Sequence, residues 1–328
     1  MEVQAAPDPA SGGHVPEADE PLATTSLSIT SEEKPIRVVA ARVGIWQRLR
    51  ELWAFRELFG FLVRKEVKVK YKNSALGFMW SMLNPAFSLA VFFVLFTYFL
   101  PNGIPQFVIY MFSALLVWNL FQTAVLSSTG VIVNNGGIVK KVAFPREILS
   151  FAAVGSSSVF FVFQAIVMLI FMFAFWHRPA WAYIWLLVPA IAAVVLFASA
   201  LSVFFSAVNV YLRDVQHLVE VVMMAWFWAV PGIYPFAGKV HDTLAAHHIL
   251  WIYFLNPITP PVMTFQRFFY ANMHPINTVT HAPFQALATY PMGWYIGADL
   301  AVIAISLVLL LGALAVFGRL EGNFAEEL

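Results

Sequence analysis

An all-α integral membrane fold with six transmembrane helices is the class this sequence predicts, and three observations carry the prediction. Hydrophobic residues make up 60% of the 328 and charged ones only 11%, against roughly 25% charge in a typical soluble domain. The mean hydropathy is +0.76. The apolar residues also gather into separate stretches of the ~20 residues that a helix needs to cross ~30 Å of hydrocarbon.

The elements follow in chain order. Residues 1–43 are rich in Ala, Pro, Ser, Asp and Glu and hold no apolar core of the length a signal peptide needs, so they read as a disordered cytosolic tail. In residues 44–72, Ile45, Leu49, Leu52, Phe55, Phe59 and Leu62 recur at steps of three and four, with Gln47, Arg48, Glu51 and Glu57 largely opposite. That period predicts an amphipathic interface helix lying on the membrane surface. Arg64, Lys65, Lys68, Lys70 and Lys72 follow directly. A basic run at a span's edge sets topology and attracts anionic lipid; a specific anionic ligand such as a lipid diphosphate is the other use it suggests. The transmembrane domain then occupies 73–328, with spans expected at 76–100, 107–127, 148–176, 181–209, 218–236 and 294–317.

Basic residues near span ends are retained in the cytoplasm. With the N-terminus inside, all of the 19 Lys and Arg except Arg178, Lys239 and Arg267 fall on the inner side. Both termini and the loop at 134–147 are therefore predicted to be cytoplasmic. The region 237–293 falls outside. Its stretch ILWIYFLNPITPPVMTFQRFFY is apolar enough for membrane depth, but Pro257, Pro260 and Pro261 divide it into pieces too short to cross. A re-entrant helical hairpin is expected there, since irregular backbone is tolerated in a membrane only where protein or a wet passage satisfies it. Pro231, Gly232 and Pro235 in WFWAVPGIYPF point to the same region.

Some chemistries are excluded. Within the expected spans only Glu220 and Asp299 are ionisable, and both read as interfacial or helix-terminal charges. An ion-coupled carrier or a membrane enzyme needs more. There is no cysteine, and the adjacent His247 and His248 diverge rather than share a metal. GGIVKK lacks the spacing and the hydroxyl of a phosphate loop, so the chain is not expected to bind ATP that way. Aromatic residues gather instead near span ends, among them Trp226, Phe227, Trp228 and Tyr234. They suit either a lipid belt or a slide on which the C–H faces of sugars pack.

Four segments in order, RKEVKVKYKNSALGFMWSMLNPAF, IVKKVAFPREIL, RDVQHLVEVVMMAWFWAVPGIYPF and NPITPPVMTFQRFFY, together resemble the permease of ABC-2 type polysaccharide exporters. That family includes the O-antigen, teichoic acid and capsule exporters and the actinobacterial galactan exporter. The resemblance implies a transport subunit rather than an enzyme: a homodimer in the bacterial plasma (inner) membrane, docked on two copies of a cytosolic ATPase. ATP and Mg would be bound by that partner, with no cofactor in this chain and no nucleic acid. A polyprenyl diphosphate-linked polysaccharide would be the cargo, and membrane lipids the surroundings.

The family's coupling helix would run from Ile138 to Glu147, contacting the ATPase through Ile138, Lys140, Lys141, Phe144, Pro145, Arg146 and Glu147. Arg64, Lys65, Lys68, Lys70 and Lys72 would flank the lateral entrance for the lipid diphosphate. Asn256, Pro257, Pro260, Pro261 and Arg267 would belong to an extracellular gate, and Trp226, Phe227, Trp228 and Tyr234 to the glycan passage. Asn84 and Pro85 would permit a kink in the first span. The acidic, Pro- and Ala-rich tail leans toward a galactan exporter. The alternatives are an ABC-2 permease for another amphiphile, a lipid or drug, and a membrane-embedded glycan enzyme.

Overall fold

A computed structural model of the chain describes residues 44–70, 76, 79–100, 104–237, 239–272, 276 and 285–328. The tail at 1–43 lies outside the described residues, as do Lys72, His274 and His281. The regular structure among the described residues is helical, with no strand among them.

The amphipathic stripe expected to form one helix over 44–63 forms two, α1 (Ile45–Ala54) and α2 (Arg56–Val69), which meet at Phe55 with φ −92° and ψ 20°. The first span is α3 (Trp80–Val94), with Pro85 inside it, extended by a π-helical turn at Leu95–Phe99. Pro85 removes one ladder hydrogen bond there, as a kink would need. Next come α4 (Phe107–Thr129) and two single turns, α5 (Val131–Asn134) and α6 (Gly136–Val139). Then α7 (Glu147–Ala174) leads through a 3₁₀ turn at Trp181–Leu186 into α8 (Leu187–Tyr211). The rest is α9 (Val215–Phe227), α10 (Lys239–Ala246), α11 (Leu250–Phe254), α12 (Thr259–Tyr270), α13 (Met292–Leu320) and a last turn, α14 (Phe324–Glu327).

Among the described residues, five segments are long and apolar enough to cross a membrane: Met82–Phe99, Phe107–Thr129, Glu147–Ala174, Trp181–Tyr211 and Met292–Asn323. With that many apolar helices, the chain is a multi-pass membrane protein. The central one is α4, most of whose residues are buried, while few residues of the first span are, and it turns Phe87, Val91, Val94 and Tyr98 outward.

The fifth expected span, 218–236, is not one helix. Its helical part, α9, has 13 residues, about 20 Å at ~1.5 Å per residue and short of ~30 Å of hydrocarbon. The chain then tightens through the bonds Trp228 N–H to Ala225 O and Ala229 N–H to Trp226 O, and leaves the helix before Pro231. Side-chain hydropathy across 218–236 met the requirement for a span. The missing N–H groups of Pro231 and Pro235 ended the helix regardless.

The amphipathic face is also covered differently from expectation. Leu49, Leu52, Leu58, Phe59, Leu62 and Val63 pack in one cluster with Ile148, Leu149 and Ala152 of α7 and Leu314 and Phe317 of α13. Protein, rather than lipid alone, receives that stripe. Gly155 permits the close approach, because a Cβ there would stand 2.8 Å from Val63 Cγ2. On the far side of α1, Trp46 and Trp53 stay 85% and 74% exposed.

Candidate functional site

The helix ends gather into two groups. At the first, the loop end, sit α1, the 130–147 loop, the turn between α8 and α9 and the chain's C-terminus. Tyr211 O–H donates to Leu320 O at 2.7 Å, Lys65 Nζ reaches Asn135 Oδ1 at 3.5 Å, and Gln216 N–H bonds Asn209 Oδ1.

The coupling helix expected over 138–147 has another form. Its helical part is the single turn α6, which begins at Gly136, and Lys140 to Arg146 form a non-helical connection before α7 begins at Glu147. Pro145 accounts for the break, since it disfavours helical backbone at Phe144. The predicted contact residues divide by side. Ile138, Lys140 and Lys141 are exposed together with Val142 and Ala143, while Phe144, Pro145 and Arg146 are half-buried and Glu147 is buried.

What holds Glu147 is a residue the sequence reading left on a polar helix face. Arg48 Nη1 donates to Glu147 Oε1, and its Nη2 donates to Glu321 Oε2 at 3.1 Å. Arg146 Nη1 donates to Glu321 O at 2.6 Å, and its guanidinium lies 5.8 Å from the Phe324 ring centroid. One arginine from α1 thus fastens the first residue of α7 to the segment after α13. Gly318 leaves room for it, as a Cβ there would come within 2.5 Å of the Arg48 guanidinium.

The basic run climbs α7 rather than ending at its foot. Val63 packs at Gly155 and Lys70 Nζ stands 4.1 Å from the centroid of the Phe160 ring. Phe160 lies about 20 Å along α7 from Glu147 at ~1.5 Å per residue. Burial lowers the Lys70 pKa below that of an ordinary lysine. Arg64 and Lys68 are exposed, and Arg64 Nε donates to its own helix at Gly60 O.

At the other end, the hairpin end, Tyr270 O–H donates to Pro105 O at 2.6 Å, Ala180 N–H bonds Phe268 O, and Tyr110 O–H lies 3.3 and 3.1 Å from Pro231 O and Tyr234 O. The prolines divide the chain as expected, with α11 of 5 residues before the break and α12 of 12 after it. Pro260 and Pro261 fall in the first turn of α12, where a missing N–H costs nothing. Asn256 holds the break. Its Oδ1 accepts from Trp226 Nε1 at 3.0 Å and from Ile258 N–H at 3.1 Å, and its Nδ2 donates to Ala229 O at 3.2 Å. Arg267 donates from Nη2 to Tyr183 O–H at 2.9 Å and lies over that ring.

The four passage candidates separate. Trp226 packs on Phe121 and Phe197 at centroid distances of 5.4 and 6.1 Å, and Phe227 on Trp118 at 5.6 Å. Trp228 is 63% exposed, and Tyr234 O–H meets Tyr253 O–H at 3.2 Å. Of the two acids, Glu220 is a surface charge 3.6 Å from His217. Asp299 is not terminal: it is fully buried, and its Oδ2 accepts from Thr264 Oγ1 at 2.9 Å. No sequence signal distinguished it from Glu220.

A profile described as "ABC-2 type transporter" matches residues 57–270, from α2 to the last residue of α12. O-antigen export system permease protein RfbA of Myxococcus xanthus is 32% identical over 281 residues, 85% of this chain and 98% of that protein. Two proteins of the same name from Klebsiella pneumoniae are 25% and 24% identical over 273 residues, 83% of this chain and 95% of each. These relatives are named as permeases, which agrees with a transport component rather than an enzyme. The matched region takes in the basic run, the loop and the hairpin together, and the chain belongs to the ABC-2 type transporter family.

Proposed function

We propose that the chain is the permease subunit of an ATP-driven exporter that moves a polyprenyl diphosphate-linked polysaccharide from the cytosol across the bacterial plasma (inner) membrane. Two copies form the passage and two copies of a separate ATPase dock beneath it. The observation that carries this reading is the loop end: an exposed tip at Ile138, Lys140, Lys141 and Val142, joined to a base fixed by Arg48, Arg146 and Glu147. A tip that touches a partner and a base that does not yield is what transmission of an ATPase closing motion requires.

In this reading α9 and the turns after it make the fifth of six crossings, so both termini are cytoplasmic. The α11–α12 pair enters the membrane from outside as a re-entrant gate. Arg64, Lys65, Lys68, Lys70 and Lys72 receive the diphosphate, their run of positive charge facing the two phosphates. Trp228 and Tyr234 are the candidates for weak sugar contacts. The glycan is proposed to be a galactan, on the character of the tail at 1–43. An O-antigen-like glycan, which the names of the relatives favour, is the second reading. Depletion of the protein should make one lipid-linked glycan accumulate on the cytosolic side, and its sugar composition decides between the two; no accumulation counts against export altogether.

Orientation has its own measurement. The native chain contains no cysteine. Lys140→Cys should resist a membrane-impermeant thiol reagent in intact cells, whereas His247→Cys should react. The reverse pattern would overturn the proposed topology.

A further inference from the structure

The buried acid Asp299 has no place in the reading so far. It is inaccessible to solvent in α13, eight residues into the helix, with Thr264 Oγ1 as donor to Oδ2 and no hydrogen-bond partner for Oδ1. A carboxyl group withdrawn from water is costly to leave with an unmet oxygen, and inside a membrane protein such a group marks a working position more often than a structural one. The complementary vacancy is close in sequence to its present partner. Arg267 stands three residues after Thr264 on α12, and its Nε is likewise buried without a partner, although its Nη2 bonds Tyr183. Residues three apart share a helix face. Two groups of opposite charge, each with one unsatisfied buried atom, therefore stand on the same two helices without pairing in this conformation.

Helix geometry gives the relation between the two arrangements. Three residues at ~1.5 Å per residue make ~4.5 Å and fall ~60° short of a full turn, so a screw motion of α12 by that rise and rotation puts Arg267 where Thr264 now stands. Packed helices move between discrete settings rather than continuously, because side chains interlock. We propose that Asp299 is a positioning residue with two alternative partners on α12: Thr264 in the conformation described here, and Arg267 in a second setting of the hairpin during transport. The proposal rests on the reading of α11–α12 as a gate. It gives that gate two defined positions, with the carboxylate paired in the second and hydrogen-bonded in the first.

The test uses the permease assembled with its ATPase. Export per folded transporter is measured for Asp299→Asn, Arg267→Gln and the double variant, with Asn256→Ala as a separate probe of the gate. Asp299→Asn keeps an acceptor for Thr264 and removes the charge. Each single variant should export about tenfold more slowly, and the double variant no more slowly than the worse single one, as groups that pair must behave. Multiplying losses, or wild-type export by Asp299→Asn, would overturn the proposal. If Asn256→Ala fails while both charge variants export normally, the latch is wrong and the gate stands; normal export by all three removes the gate reading too. A second measurement needs no variant. In the wild-type permease assembled with its ATPase, amide hydrogen exchange across α12 (Thr259–Tyr270) should change when ATP is supplied. Exchange indifferent to ATP would mean that α12 has no second setting.

Discussion

Arg48→Ala is expected to uncouple the transporter, with ATP hydrolysis by the partner continuing while export falls at least tenfold, by the size of the interaction removed. The side chain is 13% exposed and pairs with Glu147 at 2% and Glu321 at 24%. Removing the cation leaves Glu147 buried without its counter-charge, an imbalance of about 3–5 kcal/mol. The strain falls at the first turn of α7, where the exposed tip of the loop joins a span. Lysine does not replace arginine here, because one ammonium cannot reproduce a planar fork directed at two carboxylates. Arg48→Lys should accordingly lie between alanine and wild type. Gly318→Ala should give a milder version of the same loss, since its Cβ would come within 2.5 Å of the guanidinium. The quantity to compare is glycan exported per ATP hydrolysed, in detergent-stable protein of equal yield. Unchanged coupling in Arg48→Ala would mean that the loop moves independently of α1 and α13.

Much of this architecture was legible because a bilayer imposes simple demands. Runs of apolar residues at 107–129 and 147–174 could be little else than spans, and Pro257 falls where the structure divides α11 from α12, whereas Pro260 and Pro261 proved to open α12 rather than to break it. The failures have physical reasons. Hydropathy counts side chains, so it carried α9 past Phe227 into a segment whose prolines lack main-chain donors. Periodicity located the apolar face of α1 and α2 but gave no information on what covers it. Pairings such as Arg48 with Glu147 and Glu321 join residues 99 and 273 positions apart, and nothing local marks them. Trp226 and Trp228 looked equivalent as letters; only packing on Phe121 and Phe197 separated a half-buried ring held against the core from an exposed one. Asp299 and Glu220 were likewise alike until one proved buried and the other solvated.

Asn256→Ala is expected to have the largest effect at the hairpin end. A single amide there joins three pieces of chain: the Trp226 indole on α9, the Ala229 carbonyl just after it and the Ile258 amide at the approach to α12. Alanine leaves all three without their partner, at about 1 kcal/mol or more for each group that water cannot reach. Ile258 and Thr259 are buried beside the break, so solvent is poorly placed to compensate at the Ile258 amide, while the Ala229 carbonyl lies in reach of water. The hairpin should then lose its fixed position against α9, and export per folded transporter should fall about tenfold or more, the equivalent of losing ~1.4 kcal/mol of positioning. Asn256→Asp discriminates the roles of the two ends of the amide. It keeps the acceptor for Trp226 and Ile258 but has no donor for Ala229 O, and an intermediate rate is expected. Trp228→Ala, which removes an exposed ring and no hydrogen bond of its side chain, should slow export less than either. Amide hydrogen exchange across 255–262 gives an independent reading, with faster exchange in Asn256→Ala than in Trp228→Ala. If Asn256→Ala exports at the wild-type rate, the break between α11 and α12 is held by the packing of Ile258 and Val262 alone, and the hydrogen bonds of Asn256 do not position the hairpin.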